Sequence, residues 1–84
     1  MLPIPVLEES ALSNYRTYIA SFGSQKVRRG IHLNNFDRSV IEELAARLDR
    51  RPTRREILER MRQIIQIVEA EFYGPALPPR PHGL

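Results

Sequence analysis

Five arginines, Arg47, Arg50, Arg51, Arg54 and Arg55, fall within a nine-residue stretch. A guanidinium is a planar, permanently charged fork that grips a phosphate or carboxylate through two parallel hydrogen bonds, whereas Lys offers only a point charge. The same stretch contains Thr53-Arg54-Arg55-Glu56. This is the pattern of a capping box, in which the Thr hydroxyl and the Glu carboxylate each take a free backbone N–H at the start of a helix. A helix start already carries a partial positive charge and unpaired N–H groups, so it attracts anions before any side chain is added. Arginines crowded there oppose the helix dipole, so stability alone does not explain them. Arg47, Arg50, Arg51, Thr53, Arg54 and Arg55 are therefore candidates for contact with a phosphate backbone or an acidic protein face. A second polar group precedes them. Lys26, Arg28, His32 and Asn34, with Arg29 beside them, are of the types that read base edges or phosphates.

The charge of the chain is concentrated around these residues. The net charge over 84 residues is only +3, but residues 24–55 hold nine cations against four acids, a net of +5. The flanking stretches 1–23 and 56–84 are each net −1, and twelve of the thirteen cations are Arg. No comparable grouping suggests catalysis. His32 and His82 are far apart with no acids or histidines at metal-ligand spacing. The serines lack His or Asp partners, and no Gly-rich phosphate loop occurs. Glu42, Glu43, Glu69 and Glu71 read as solvated faces. The sequence predicts a non-enzymatic protein with no metal, cofactor or small-molecule substrate.

Helical periodicity accounts for most of what must hold the candidate residues in place. Leu12, Tyr15, Ile19 and Phe22 share one face of a first helix, about 7–22, with Gly23 suited to its C-terminal cap. Residues 26–34 alternate apolar and polar side chains, which predicts a short strand or extended segment. A second helix, about 37–50, is expected to start on Asp37 as N-cap. Phe36 and Ile41 would form a hydrophobic staple there, and Ile41, Leu44, Ala45 and Leu48 would form the buried stripe. Glu43 and Arg47 stand at i, i+4 on it, and Pro52 ends it. The third helix, about 53–73, begins at the capping box and stops at Gly74-Pro75. Its apolar residues Ile57, Leu58, Met61, Ile64, Ile65, Val68 and Phe72 occupy an arc of about 120°, and Ile67 lies off it. That surface exceeds what two short helices need, so Ile64, Ile67, Val68 and Phe72 are candidates for a homodimer or partner interface. Residues 1–73 thus form one small, mainly α domain. Residues 74–84, GPALPPRPHGL, are a disordered Pro-rich tail whose Pro75–Arg80 stretch has the spacing of peptides that dock in aromatic grooves. The chain has no Cys, no apolar run long enough to span a membrane and no basic leader at its start. A cytoplasmic protein is expected.

Two family resemblances rest on these elements. Residues 26–68 place an extended segment with Ile31 and Leu33 before a helix with VIEEL, a short turn, and a Thr-capped helix with REILERM. This order resembles the ribbon-helix-helix DNA-binding regulators. The resemblance implies a dimer whose paired strands lie in the major groove, with Lys26, Arg28, Gly30, His32 and Asn34 facing DNA and Thr53, Arg54 and Arg55 on a phosphate. The stretch ELAARLDRRPTRREILERM is similar to a helix-turn-helix segment of bacterial sigma factors, with Asp49 standing where Gly is common. The expectation is a small DNA-binding transcriptional regulator. The alternative is a protein-binding antiactivator or adaptor that grips an acidic regulatory protein through its apolar helix face and arginine elbow.

Overall fold

A computed structural model describes residues 2–22 and 26–74, with side chains from residue 29 onward in the second segment. It contains three helices, α1 (Ile4–Ala20), α2 (Lys26–Leu48) and α3 (Arg54–Tyr73). Among the described residues there is no strand. The expected cap at Gly23, the polar side chains of Lys26 and Arg28, and the tail 75–84 lie outside the described residues. Among the described residues no helix is long and apolar enough to cross a membrane.

Helix α1 starts three residues before its expected boundary. Pro3 is its N-cap in extended geometry and Pro5 sits in the first turn. Proline has no N–H to lose in a first turn and is preset to helical φ, so it opens a helix rather than blocking one. The Pro3 carbonyl accepts from Val6 and Leu7 at 3.0 and 3.2 Å.

The larger departure is in α2, which takes in the whole segment predicted as extended. Asp37 is therefore an exposed mid-helix residue and not an N-cap, and Phe36 is a fully buried core residue and not half of a staple. The physical reason is a longer stripe than the two-residue alternation suggested. Phe36, Val40, Glu43 and Leu44 recur at helical spacing and are all buried. Phe36 meets the Tyr15 ring of α1 with centroids 4.9 Å apart, and Asn14 Nδ2 donates to the Asn35 carbonyl at 3.4 Å. Once this part packs on α1, extending the helix backward adds one hydrogen bond per residue with no new nucleation cost.

The other expected boundaries hold closely. Helix α2 ends at Leu48, and Asp49 turns the chain with φ 57, a left-handed conformation. The capping box of α3 is formed in full: the Thr53 hydroxyl accepts from Glu56 N–H at 3.1 Å, and Glu56 Oε1 accepts from Thr53 N–H at 2.8 Å. Gly74 closes the helix at φ 97.

Helices α1 and α2 are antiparallel and share the largest interface, since early α1 meets late α2 and late α1 meets early α2. Helix α3 spans both. The core joins Ala11 and Tyr15, Phe36, Val40 and Leu44, and Ile64 and Val68. At one edge of it lies an ionic network built from all three helices. The Glu43 carboxylate is fully buried and accepts from Arg60 Nε and Nη2 at 2.9 and 2.8 Å and from Arg47 Nε at 2.7 Å. Arg60 Nη2 also reaches Glu8 at 2.9 Å, and Arg47 stands 3.6 Å from Glu8. Burial pushes the Glu43 carboxyl pKa up, but hydrogen bonds and charge from Arg60 and Arg47 outweigh burial and hold it below its ordinary range. Glu43 is thus a core residue and not part of a solvated face.

Candidate functional site

The five elbow arginines do not act as one group. Arg47 is taken up by Glu43 and Glu8 inside the ionic network. Arg50 forks onto Glu56, with Nη1 to Oε1 at 3.0 Å and Nη2 to Oε2 at 2.7 Å, and also donates to the Arg51 carbonyl at 3.0 Å. The Arg50 hydrogen bonds, then the Thr53 backbone bond, lower the Glu56 pKa to about 2. The N-terminal turn of α3 is therefore already furnished with an anion of its own. Arg51, Arg54 and Arg55 remain exposed and make no ion pair among the described residues.

The helical course of residues 26–34 changes what its polar side chains can do together. A strand would have aligned His32 and Asn34 on one side, whereas a helix places them about 200° apart around its axis. Arg29 stands over the Phe22 ring at 5.7 Å, and Asn34 is exposed. The strand implied by the ribbon-helix-helix resemblance is not formed here.

The candidate interface residues also separate. Ile64 and Val68 are fully buried in the chain's own core, so they offer no surface to a partner. The 3.6-residue period places side chains on an inward face but cannot say which part of that face neighbouring helices fill. Ile67 and Phe72 are about half exposed.

The structure instead brings together a groove between α2 and the first half of α3. Its cavity is about 310 Å³ and is lined by Leu33, Ile41, Ile57, Leu58 and Met61, with Asn34, Asp37 and Arg54 at its polar margin. Leu33, Ile41 and Leu58 are 40%, 37% and 49% exposed, too much for completed core positions. Arg54 lines the mouth, Arg55 and Arg62 stand three residues before and four residues after Leu58 on α3, and Arg38 follows Asp37 on α2. None of these four makes an ion pair among the described residues. Aliphatic walls offer shape and desolvation, and the guanidinium rim selects negative charge.

Sequence reasoning missed this groove because Leu33 had been placed in a strand. It also missed Arg60 and Glu8 as structural residues. The signal for Arg60 was present: it lies three residues after Ile57 and four before Ile64, within the apolar stripe of α3, just as Glu43 lies within that of α2. Opposite charges embedded in two facing stripes are a recognisable sign of a buried pair. Comparison with protein-family models, curated proteins and solved structures finds no match for this chain.

Proposed function

We propose that this chain is a non-enzymatic regulatory module of the cytoplasm that binds an acidic, amphipathic helical segment of a partner protein in the α2–α3 groove. The observation that carries the reading is the pairing of half-exposed Leu33, Ile41 and Leu58 with the unpaired Arg54 around one cavity, with Arg55 and Arg62 within one helical turn of Leu58. A helix laid in a groove presents apolar anchors at i, i+3, i+4 and i+7. Its acidic flanks would meet the guanidinium rim, raising the encounter rate and rejecting basic competitors. Leu58 would be the central anchor and Arg54 the charge selector.

A second reading, DNA binding, is favoured by one observation: Arg51, Arg54 and Arg55 are free at a helix start that follows a tight turn. Against it, Glu56 fills the N-terminal turn where a phosphate would sit.

A fluorescein-labelled synthetic helix with a Leu stripe and an Asp/Glu face tests the proposal by anisotropy. Saturable binding is expected, weakened about tenfold or more by Leu58→Asp and by Arg54→Glu. Tighter binding to random duplex DNA than to the peptide at about 150 mM salt would overturn it in favour of DNA. In that case Arg54→Ala would reduce the salt slope by about one.

A further inference from the structure

At the opposite end of α3 a second cleft has a different chemistry. Its cavity of about 170 Å³ is lined by Tyr15, Tyr18, Ile19 and Phe22 from the end of α1 and by Glu69 and Tyr73 from the last turns of α3. Tyr15 and Tyr18 stack at a tilt with centroids 5.4 Å apart, forming an aromatic floor. Phe22 and Tyr73 stand up as walls, 69% and 66% exposed. Glu69 makes no ion pair or hydrogen bond among the described residues. Burial first, and the Glu69 charge second, push the Tyr15 hydroxyl pKa up, and both residues line the same cleft. Aromatic walls around an uncompensated acid suit a cation carried on an apolar stem. Ring faces attract the guanidinium and the carboxylate pairs with it. The rim already accepts this chemistry, since the Arg29 guanidinium stands 5.7 Å from the Phe22 centroid.

We infer that this cleft is the docking site for the chain's own Pro-rich segment 75–84, with its prolines on the Tyr18 and Tyr73 rings and Arg80 on Glu69. The segment leaves α3 through Gly74, immediately after the wall residue Tyr73. It carries the spacing PALPPR and, in Arg80, its single cation other than His82. A polyproline helix rises about 3.1 Å per residue, so the six residues from Gly74 to Arg80 reach roughly 19 Å. Glu69 lies only four residues back from Tyr73 along α3, about 6 Å, well inside that reach. Proline rings on aromatic faces, with an arginine locked by an acid at one end, are the recurring mode of polyproline recognition. Attachment beside the site also supplies a high effective concentration, so weak contacts suffice.

The test uses the full chain in NMR at two protein concentrations, with far-UV circular dichroism confirming that exposed-site variants keep their helices. Contacts are expected between Arg80 or proline ring protons and the Tyr18 and Tyr73 rings. They should persist on dilution, be lost in Arg80→Glu, and return in Arg80→Glu combined with Glu69→Lys. Absence of such contacts in the unaltered chain overturns the inference, as does their persistence in Arg80→Glu. Contacts that vanish on dilution would assign the cleft to the segment of a second copy and equally overturn it.

Discussion

Replacing Arg60 by Met keeps an unbranched apolar stem and removes the charge and donors. In the intact protein Arg60 supplies two of the three hydrogen bonds to the fully buried Glu43 carboxylate and one to Glu8. In Arg60→Met, Glu43 is left in the core with Arg47 as its sole donor. Breaking a buried ion pair by removing one partner costs about 3–5 kcal/mol, because the remaining charge stays desolvated. A domain of this size has a total stability of roughly 4–13 kcal/mol at 0.05–0.15 kcal/mol per residue. The variant should therefore lose about a quarter of it or more, read as a fall in the urea midpoint at pH 7 by far-UV circular dichroism. Arg60→Met combined with Glu43→Leu removes both charges and should recover most of the loss. The pH dependence gives an independent check of sign. A carboxyl held below its ordinary range contributes stability that is fully present above its unfolded pKa, about 4.3, and is lost as pH falls through the lowered folded value. In Arg60→Met the burial of Glu43 is no longer outweighed, so its contribution reverses. The acid-side slope should become shallower, with Glu56 and Glu71, which are still paired, supplying what remains. A cost below about 1 kcal/mol, the size of an exposed pair, or an unchanged acid slope would refute the claim that these charges lie in the core.

Two backbone substitutions probe the helix assignments. Gly30 is a helical residue of α2 with nothing within 4 Å of where a Cβ would stand, so Gly30→Ala should stabilise by about 0.5–1 kcal/mol in thermal melts; no gain would argue that residues 26–34 are not helical in solution. Asp49 occupies the left-handed region at φ 57. Asp49→Gly relieves roughly 1 kcal/mol of strain against roughly 0.5 kcal/mol of added chain entropy, so a rise in Tm of about 2–4 °C is expected, and a fall would mean that the Asp side chain itself supports the turn.

The parts of this fold that were legible in the sequence are those fixed by local chemistry. Thr53 and Glu56 announce the start of α3 because both halves of a capping box lie within four residues. Pro52 marks the end of α2 because it disfavours helical geometry at the residue before it. Residues 26–34 were misread because their local pattern is ambiguous and the deciding contact, Phe36 on Tyr15, joins positions 21 residues apart. The arginine elbow was legible as composition but not as function. Arg47 and Arg50 differ from Arg51, Arg54 and Arg55 only in having Glu43, Glu8 and Glu56 within reach, and for Arg47 that depends on how α1 meets α2. The same holds for Ile64 and Val68 against Phe72: all three share the apolar arc of one helix, and only the placement of α1 and α2 divides core from surface.

The first third of α2 links the ion network to the proposed groove. Residues 29–35 are helical, yet none of them is buried, and Ile31 and Leu33 are 53% and 40% exposed. Such a stretch draws its stability from being continuous with the packed part that begins at Phe36, since helices of a few turns are marginal in water by themselves. It is thus the part of α2 most ready to fray, with local opening free energies far below the global value. Leu33 forms one apolar wall of the groove, while Ile41, Ile57, Leu58 and Met61 form the other apolar lining. On the proposed reading, a bound helix would cover Leu33 and hold this stretch in place, so occupancy and local order would rise together. The Glu43–Arg60 pair holds α3 against the packed part of α2 whether or not the groove is filled. The rigid wall and the labile wall would then have separate roles: Ile57, Leu58 and Met61 set the shape a partner must fit, and Leu33 reports whether it has arrived.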